Sequence, residues 1–272
     1  MILYVISVGL SVTMGLMGFI NLAHGVFAMA GGFLLSTAMA RFGLPFPVAL
    51  VIAFVSVALA SVILERLLYS RLYTAGELAQ VLFCIGLILV SMALARLVYG
   101  NLAAPVFLPD YLRGQVHLAG RDFPTYRVFL IVFSACLIAA LWFGVERTRW
   151  GAMVRAAVDN RAMAQSVGIN TKLLFMITFA LGSGLAGLGG ALGADILPVQ
   201  WGYPFEHLAY FLIVVAVGGL GSLRGPFVAA LLIGIADTAC KYWIPAFGAF
   251  LIYAATIAVL LWRPQGLFGV RT

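Results

Sequence analysis

Residues 146–172 read ERTRWGAMVRAAVDNRAMAQSVGINTK, the most polar and basic interval of an otherwise apolar chain. Five cations, Arg147, Arg149, Arg155, Arg161 and Lys172, fall inside it. Placing them in hydrocarbon costs upwards of about 12 kcal/mol on the insertion scale, so the interval lies outside the bilayer. It is nonetheless patterned. Met153, Ala156, Ala157, Asn160, Met163, Ala164 and Val167 recur at helical spacing and form one stripe of small and apolar residues. The pattern predicts a helix over about 152–167, ended by Gly168 at C′, with Asn170 or Thr171 capping the next helix. The stripe is too weakly apolar to hold a helix in lipid. Its expected role is to dock on a protein partner.

Outside this interval the chain reads as membrane. Of its 272 residues 64% are hydrophobic and 9% charged, against about a quarter charged in a soluble domain. The fold class is therefore an all-α polytopic membrane protein, a single domain over 1–272. Candidate spans of about 20 residues fall near 2–20, 25–40, 46–64, 80–99, 127–145, 173–194, 207–222, 226–244 and 247–262, giving eight or nine. Lacking a basic n-region and a small-residue cleavage site, the opening MILYVISV is expected to be a retained span. With the N-terminus outside, the cytoplasmic side carries Arg66, Arg71, Arg147, Arg149, Arg155, Arg161, Lys172, Arg224, Arg263 and Arg271. The other side carries Arg41, Arg96, Arg113, Arg121, Arg127 and Lys241. The excess of ten over six explains the net charge of +7 by the positive-inside rule. No basic run or aromatic–basic pattern suggests nucleic acid.

Motifs for chemistry are missing. There is no G-x-x-x-x-G-K-[ST], so the chain has no recognisable means of hydrolysing ATP by itself. His24, His117 and His207 lie far apart and match no metal-ligand spacing. Cys84, Cys136 and Cys240 read as small buried apolar residues. Asn21, His24 and Gly25, in the break INLAHG at 20–25, either line a translocation path or simply start a helix capped by Asn21. Asp237 and Lys241, four apart, read as a structural pair on one helix face. Glu65, Arg66, Arg71, Glu77 and Gln80 read as a solvated connector. The stretch 100–126 is expected to form a short hairpin or an interfacial helix. Gly182–Ala186–Gly190 and Ser183–Gly187 are four-residue repeats of small residues and predict close helix packing, with a subunit interface or pore lining as the alternative.

Taken together, INLAHGVFAMAGGF (20–33), Glu65-Arg66, RTRWGAMVRAAVDNRAMAQSVGIN (147–170), GGLGSLRGPFVAALLIG (218–234) and WRPQGLFG (262–269) resemble LivH-type permeases of branched-chain amino acid ABC importers. The resemblance implies a type II-like importer fold in a bacterial-type cytoplasmic (inner) membrane. It implies a second permease subunit, LivM-like or a second copy, two cytoplasmic ATPases that hold the ATP and Mg, and an extracytoplasmic solute-binding protein. The interval 151–170 would be the coupling motif, with Arg155, Ala156, Ala157, Asp159, Asn160, Ala164 and Gly168 in corresponding places. Relatives of the family also move urea, short amides and aromatic or other carboxylic acids. An ion-coupled secondary transporter is the alternative, and it would need an essential membrane carboxylate, Asp237 above all.

Overall fold

The computed structural model describes residues 1–17, 19, 21–73, 75–106, 108–118, 120–219, 221–222, 224–243 and 248–269. Four helices open the chain: α1 (Ile2–Met17), α2 (His24–Phe42), α3 (Phe46–Leu64) and α4 (Ser70–Leu72). A π-helical turn, Glu65–Tyr69, joins α3 to α4, so that Phe46–Leu72 runs as one continuous span. Then come α5 (Glu77–Tyr99), a short hairpin, α6 (Thr125–Glu146), α7 (Arg149–Asp159), α8 (Arg161–Ser166) and α9 (Thr171–Gly193). The chain closes with α10 (Tyr203–Gly218), α11 (Arg224–Trp243) and α12 (Gly248–Trp262). The hairpin pairs β1 (Gln115–Leu118) with β2 (Arg121–Pro124), so of the two forms expected within 100–126 the strand hairpin is the one that is present, preceded by a single 3-10 turn at Asp110–Leu112.

The architecture is thus all-α and membranous apart from that hairpin. Among the described residues five helices are long and apolar enough to cross a bilayer: α2, α3 with its extension, α5, α6 and α9. Helices α1, α10 and α12 carry shorter apolar stretches. Helix α9 is the axis of the bundle. Of its most apolar window 67% is buried, against 11% for α6 and 17% for α5, whose side chains face outward. Cys136 accordingly stands exposed on α6, whereas Cys84 and Cys240 are buried as expected.

What brings neighbours onto α9 is the lack of side chains on it. A Cβ on Gly190 would stand 1.9 Å from the carbonyl oxygen of Ala28 in α2. One on Gly31 would stand 2.0 Å from the carbonyl of Gly187, and one on Gly9 of α1 would stand 2.2 Å from that of Gly182. Gly184 takes the ring of Phe54 from α3. Backbone therefore meets backbone, which raises dispersion contact where lipid offers no hydrophobic drive. The small-residue repeat is intramolecular packing.

Contacts between helix ends define two faces. Arg66 on the π-turn reaches Met176 near the start of α9, and Arg224 at the start of α11 binds both carboxylate oxygens of Glu146 at 3.1 and 3.2 Å. The segment after α12 pairs back onto α10, with Leu267 N–H on the Val217 carbonyl and Phe268 N–H on that of Gly218. All described cations counted toward the cytoplasmic side thus gather at one basic end, while Arg271 lies outside the described residues. At the far end the Tyr126 hydroxyl donates to the Leu192 carbonyl, and Arg96 lies 5.5 Å over the ring of Trp201.

The packing gives a direct expectation. Gly190→Ala costs about 1–3 kcal/mol through overpacking and lowers the thermal midpoint in detergent. Gly86→Ala, in open space on α5, leaves it unchanged or raises it. Equal midpoints for the two variants would remove α9 from its place as the packing axis.

Candidate coupling surface and buried break

At the basic end the interval 146–172 forms an elbow. The expected single helix over 152–167 is two helices, because Asn160 adopts extended backbone (φ −147°, ψ 98°). Periodicity missed the bend since Asn160 continues the stripe in register. Its chemistry explains the break: Asn160 Oδ1 accepts from Met163 N–H at 2.9 Å, so the residue ends α7 and caps α8. The remaining signals fall where the sequence puts them. Gly168 takes a left-handed φ of 89°. Its N–H bonds the Gln165 carbonyl, and the Ile169 N–H bonds that of Ala164, which is the Schellman pattern. Asn170 Oδ1 accepts from Leu173 N–H at 3.1 Å and starts α9.

The elbow is seated on both flanking helices. Val154, Ala157 and Ala164 pack with Leu174 and Phe175 of α9. Gly151 lies so close to α6 that a Cβ would clash with the Val145 carbonyl, and the Arg155 guanidinium donates to that same oxygen. A cation on the last carbonyls of a helix satisfies orphan acceptors and the helix dipole together. The expected stripe therefore divides. Ala157 and Ala164 face inward, while Ala156, Asp159, Asn160 and Gly168 are exposed with Met153, Met163 (67%) and Val167 (72%). Met153, Met163 and Val167 thus present apolar side chains on a surface that nothing among the described residues covers.

A second set of polar groups lies inside the bundle. Asn21, His24 and Gly25 come together at the break between α1 and α2, and all three are buried. His24 Nε2 is 2.9 Å from the carbonyl of Ile6, and Gly25 lets the start of α10 approach, its Cβ position lying 3.0 Å from Pro204 Cα. Asn21 does not cap α2. The N-cap residue is Ala23, without a side-chain bond, and Asn21 Oδ1 instead accepts from the Tyr69 hydroxyl at 3.1 Å. His24 Nδ1 and Asn21 Nδ2 have no hydrogen-bond partner among the described residues.

Tyr69 belongs to the π-turn, the feature that sequence reasoning missed. An inserted residue there rotates the helix face. Glu65, expected in a solvated connector, is buried, with its Oε1 held by the Tyr73 hydroxyl at 2.9 Å. Gln80 is buried too and donates to the carbonyls of Leu72 and Ala75. Only Arg66, Arg71 and Glu77 of that group are exposed. The Glu-Arg pair ahead of two tyrosines was the available signal. Asp237 lies partly buried on α11, and the Lys241 side chain falls outside the described residues.

A bundle of apolar helices packed backbone to backbone, with an exposed elbow at its basic end, is the architecture of an α-helical membrane protein. The chain belongs to the branched-chain amino acid transport system / permease component family, matched over residues 1–260. It is 27% identical to the branched-chain amino acid permease BraD of Pseudomonas aeruginosa and 27% identical to LivH of Escherichia coli, each over 97% of this chain and 90% of the relative. It is also 23% identical to LivM of Escherichia coli, over 98% of this chain and 68% of that protein. No solved structure matches the chain.

The break makes its own prediction. Tyr69→Phe leaves Asn21 Oδ1 buried without its donor and costs about 1–3 kcal/mol, read as a lower unfolding midpoint in detergent. A midpoint equal to the parent's would show that the Tyr69–Asn21 bond does not secure the break.

Proposed function

We propose that this chain is a transmembrane permease subunit of an ABC importer for branched-chain or related amino acids, driven by separate ATPases that bind at the α7–α8 elbow. The observation carrying the reading is the exposed apolar face of the elbow, on a chain whose family supplies permeases and whose sequence has no nucleotide-binding motif. The substrate class follows from the names of the relatives. The basic end faces the cytoplasm by the positive-inside rule, in a multi-pass inner-membrane topology where α1, α10, α11 and α12 also cross, in a type II-like arrangement. Similarity to both LivH and LivM supports a pairing of two permeases of one family. A solute-binding protein would deliver substrate at the far end.

On this reading the exposed and buried halves of the stripe have different work. Ala156, Asp159, Asn160 and Gly168 meet the ATPase, along with Met153, Met163 and Val167. Ala157, Ala164 and Arg155 hold the elbow on the bundle. Asn21, His24 and Gly25 are the proposed path residues. Asn21 Nδ2 and His24 Nδ1, without partners among the described residues, become available to a polar solute in a state where the break opens, and closure of the ATPase pair would shift the balance between the two states.

Co-purification tests this division. Ala156→Glu and Met163→Glu reduce ATPase recovery about tenfold while the permease remains inserted and monodisperse. Ala157→Glu destabilises the permease itself, because the carboxylate enters the Val154–Phe175 cluster. Undiminished ATPase recovery with both exposed variants would sink the elbow as the docking site. Transport by the purified chain alone, without ATP, would favour a secondary mechanism.

A further inference from the structure

At the basic end a groove of about 550 Å³ opens between the π-turn and the start of α9. Arg66, Arg161 and Lys172 border it, with Ser70 and Tyr73. None of the three cations forms a salt bridge among the described residues. The one carboxylate among the described lining residues, Glu65, is engaged by Tyr73. Three cations against one carboxylate leave an excess of two positive charges along the described lining of the recess.

Its depth singles out the ligand. Both walls are the terminal turns of membrane spans, since Phe46–Leu72 ends at one and Thr171–Gly193 begins at the other. Leu67, Leu68, Leu173 and Ile177, close to the cations in sequence on the same two spans, are exposed large apolar side chains. The recess thus lies at headgroup level, with an apolar wall running from it into the bilayer. Basic pockets between spans on the cytoplasmic side suit anionic headgroups. We infer that this groove binds the phosphodiester headgroup of an anionic phospholipid of the inner leaflet, with its acyl chains along Leu67, Leu68, Leu173 and Ile177. The inference rests on the basic end facing the cytoplasm and does not require ATPases at the elbow.

The test uses the complete permease with its co-expressed partners, in nanodiscs of phosphatidylcholine with or without phosphatidylglycerol. Lipids retained after extraction are measured by native mass spectrometry, and ATPase recovery is read on the same samples. Phosphatidylglycerol is expected to be retained in preference to phosphatidylcholine, with retention falling about fivefold for each of Arg66→Ala and Lys172→Ala. Arg66→Lys keeps the charge and keeps the lipid, which separates loss of the site from loss of the fold. Equal retention of the two lipids, or unchanged retention in the Arg66→Ala/Lys172→Ala double variant, overturns the site. Release of the lipid by inorganic phosphate reassigns the groove to a free anion. Lipid found only on permease that has lost its ATPases, and not on the complete assembly, reassigns the groove to the protein interface. Either result defeats the lipid assignment.

Discussion

Everything in this molecule depends on helix backbones touching along α9. In water, burying apolar side chains would hold a bundle together. In lipid that drive is absent, and association rests on how closely the helices approach. Glycines at 182, 184, 187 and 190 let α1, α2 and α3 approach α9 on different sides at once. Among the five long spans, the two that lack this contact, α5 and α6, turn most of their surface outward. One run of small residues thereby decides which helices form the core and which form the periphery.

The close packing also explains how the chain holds a break inside the bundle. Between α1 and α2 the helix stops and restarts, which frees backbone groups that lipid cannot satisfy. Here protein surrounds them. Phe19 and Tyr69 stack edge to face at 5.1 Å, Tyr69 holds Asn21, and the Cys84 thiol lies within reach of the backbone of Leu22 and Ala23. The π-turn that aims Tyr69 and the break that presents Asn21 are thus two irregularities that satisfy each other.

Much of this was legible in the residues, and the gaps have physical causes. The membrane class, the helical character of 146–172, Gly168, the Asn170 cap and the small-residue packing follow from composition, spacing and cap chemistry, which are local. The division of the stripe at Asn160 was not legible, because an asparagine in register with a helical face reads the same whether the helix bends there or continues. Asn21 reads locally as a helix cap or as part of a path, because Asn is a good capping residue. The structure gives it to Tyr69, 48 positions away, and no local pattern encodes that partner. Polarity alone puts Glu65 and Gln80 in solvent, whereas burial with Tyr73 and with backbone carbonyls is a tertiary outcome.

The elbow's seating bears on how a motor outside the membrane would act on the bundle. A docking segment carried on slack loops would absorb a displacement. This one has no slack. Thr148 caps α7 directly after α6, Arg155 and Gly151 bind it to the last carbonyls of α6, and Ala157 and Ala164 press on the first turns of α9. On the proposed reading, force applied at Met163 and Val167 therefore passes into α9, the helix on which α1, α2 and α3 all rest. Phe179 of α9 in turn contacts both Phe27 of α2 and Tyr69 of the π-turn, at 5.8 and 4.7 Å between ring centres. A shift of α9 along its glycine-lined face would then reach the break at Asn21 through packed rings. The same absence of side chains that builds the core leaves that face smooth enough to slide.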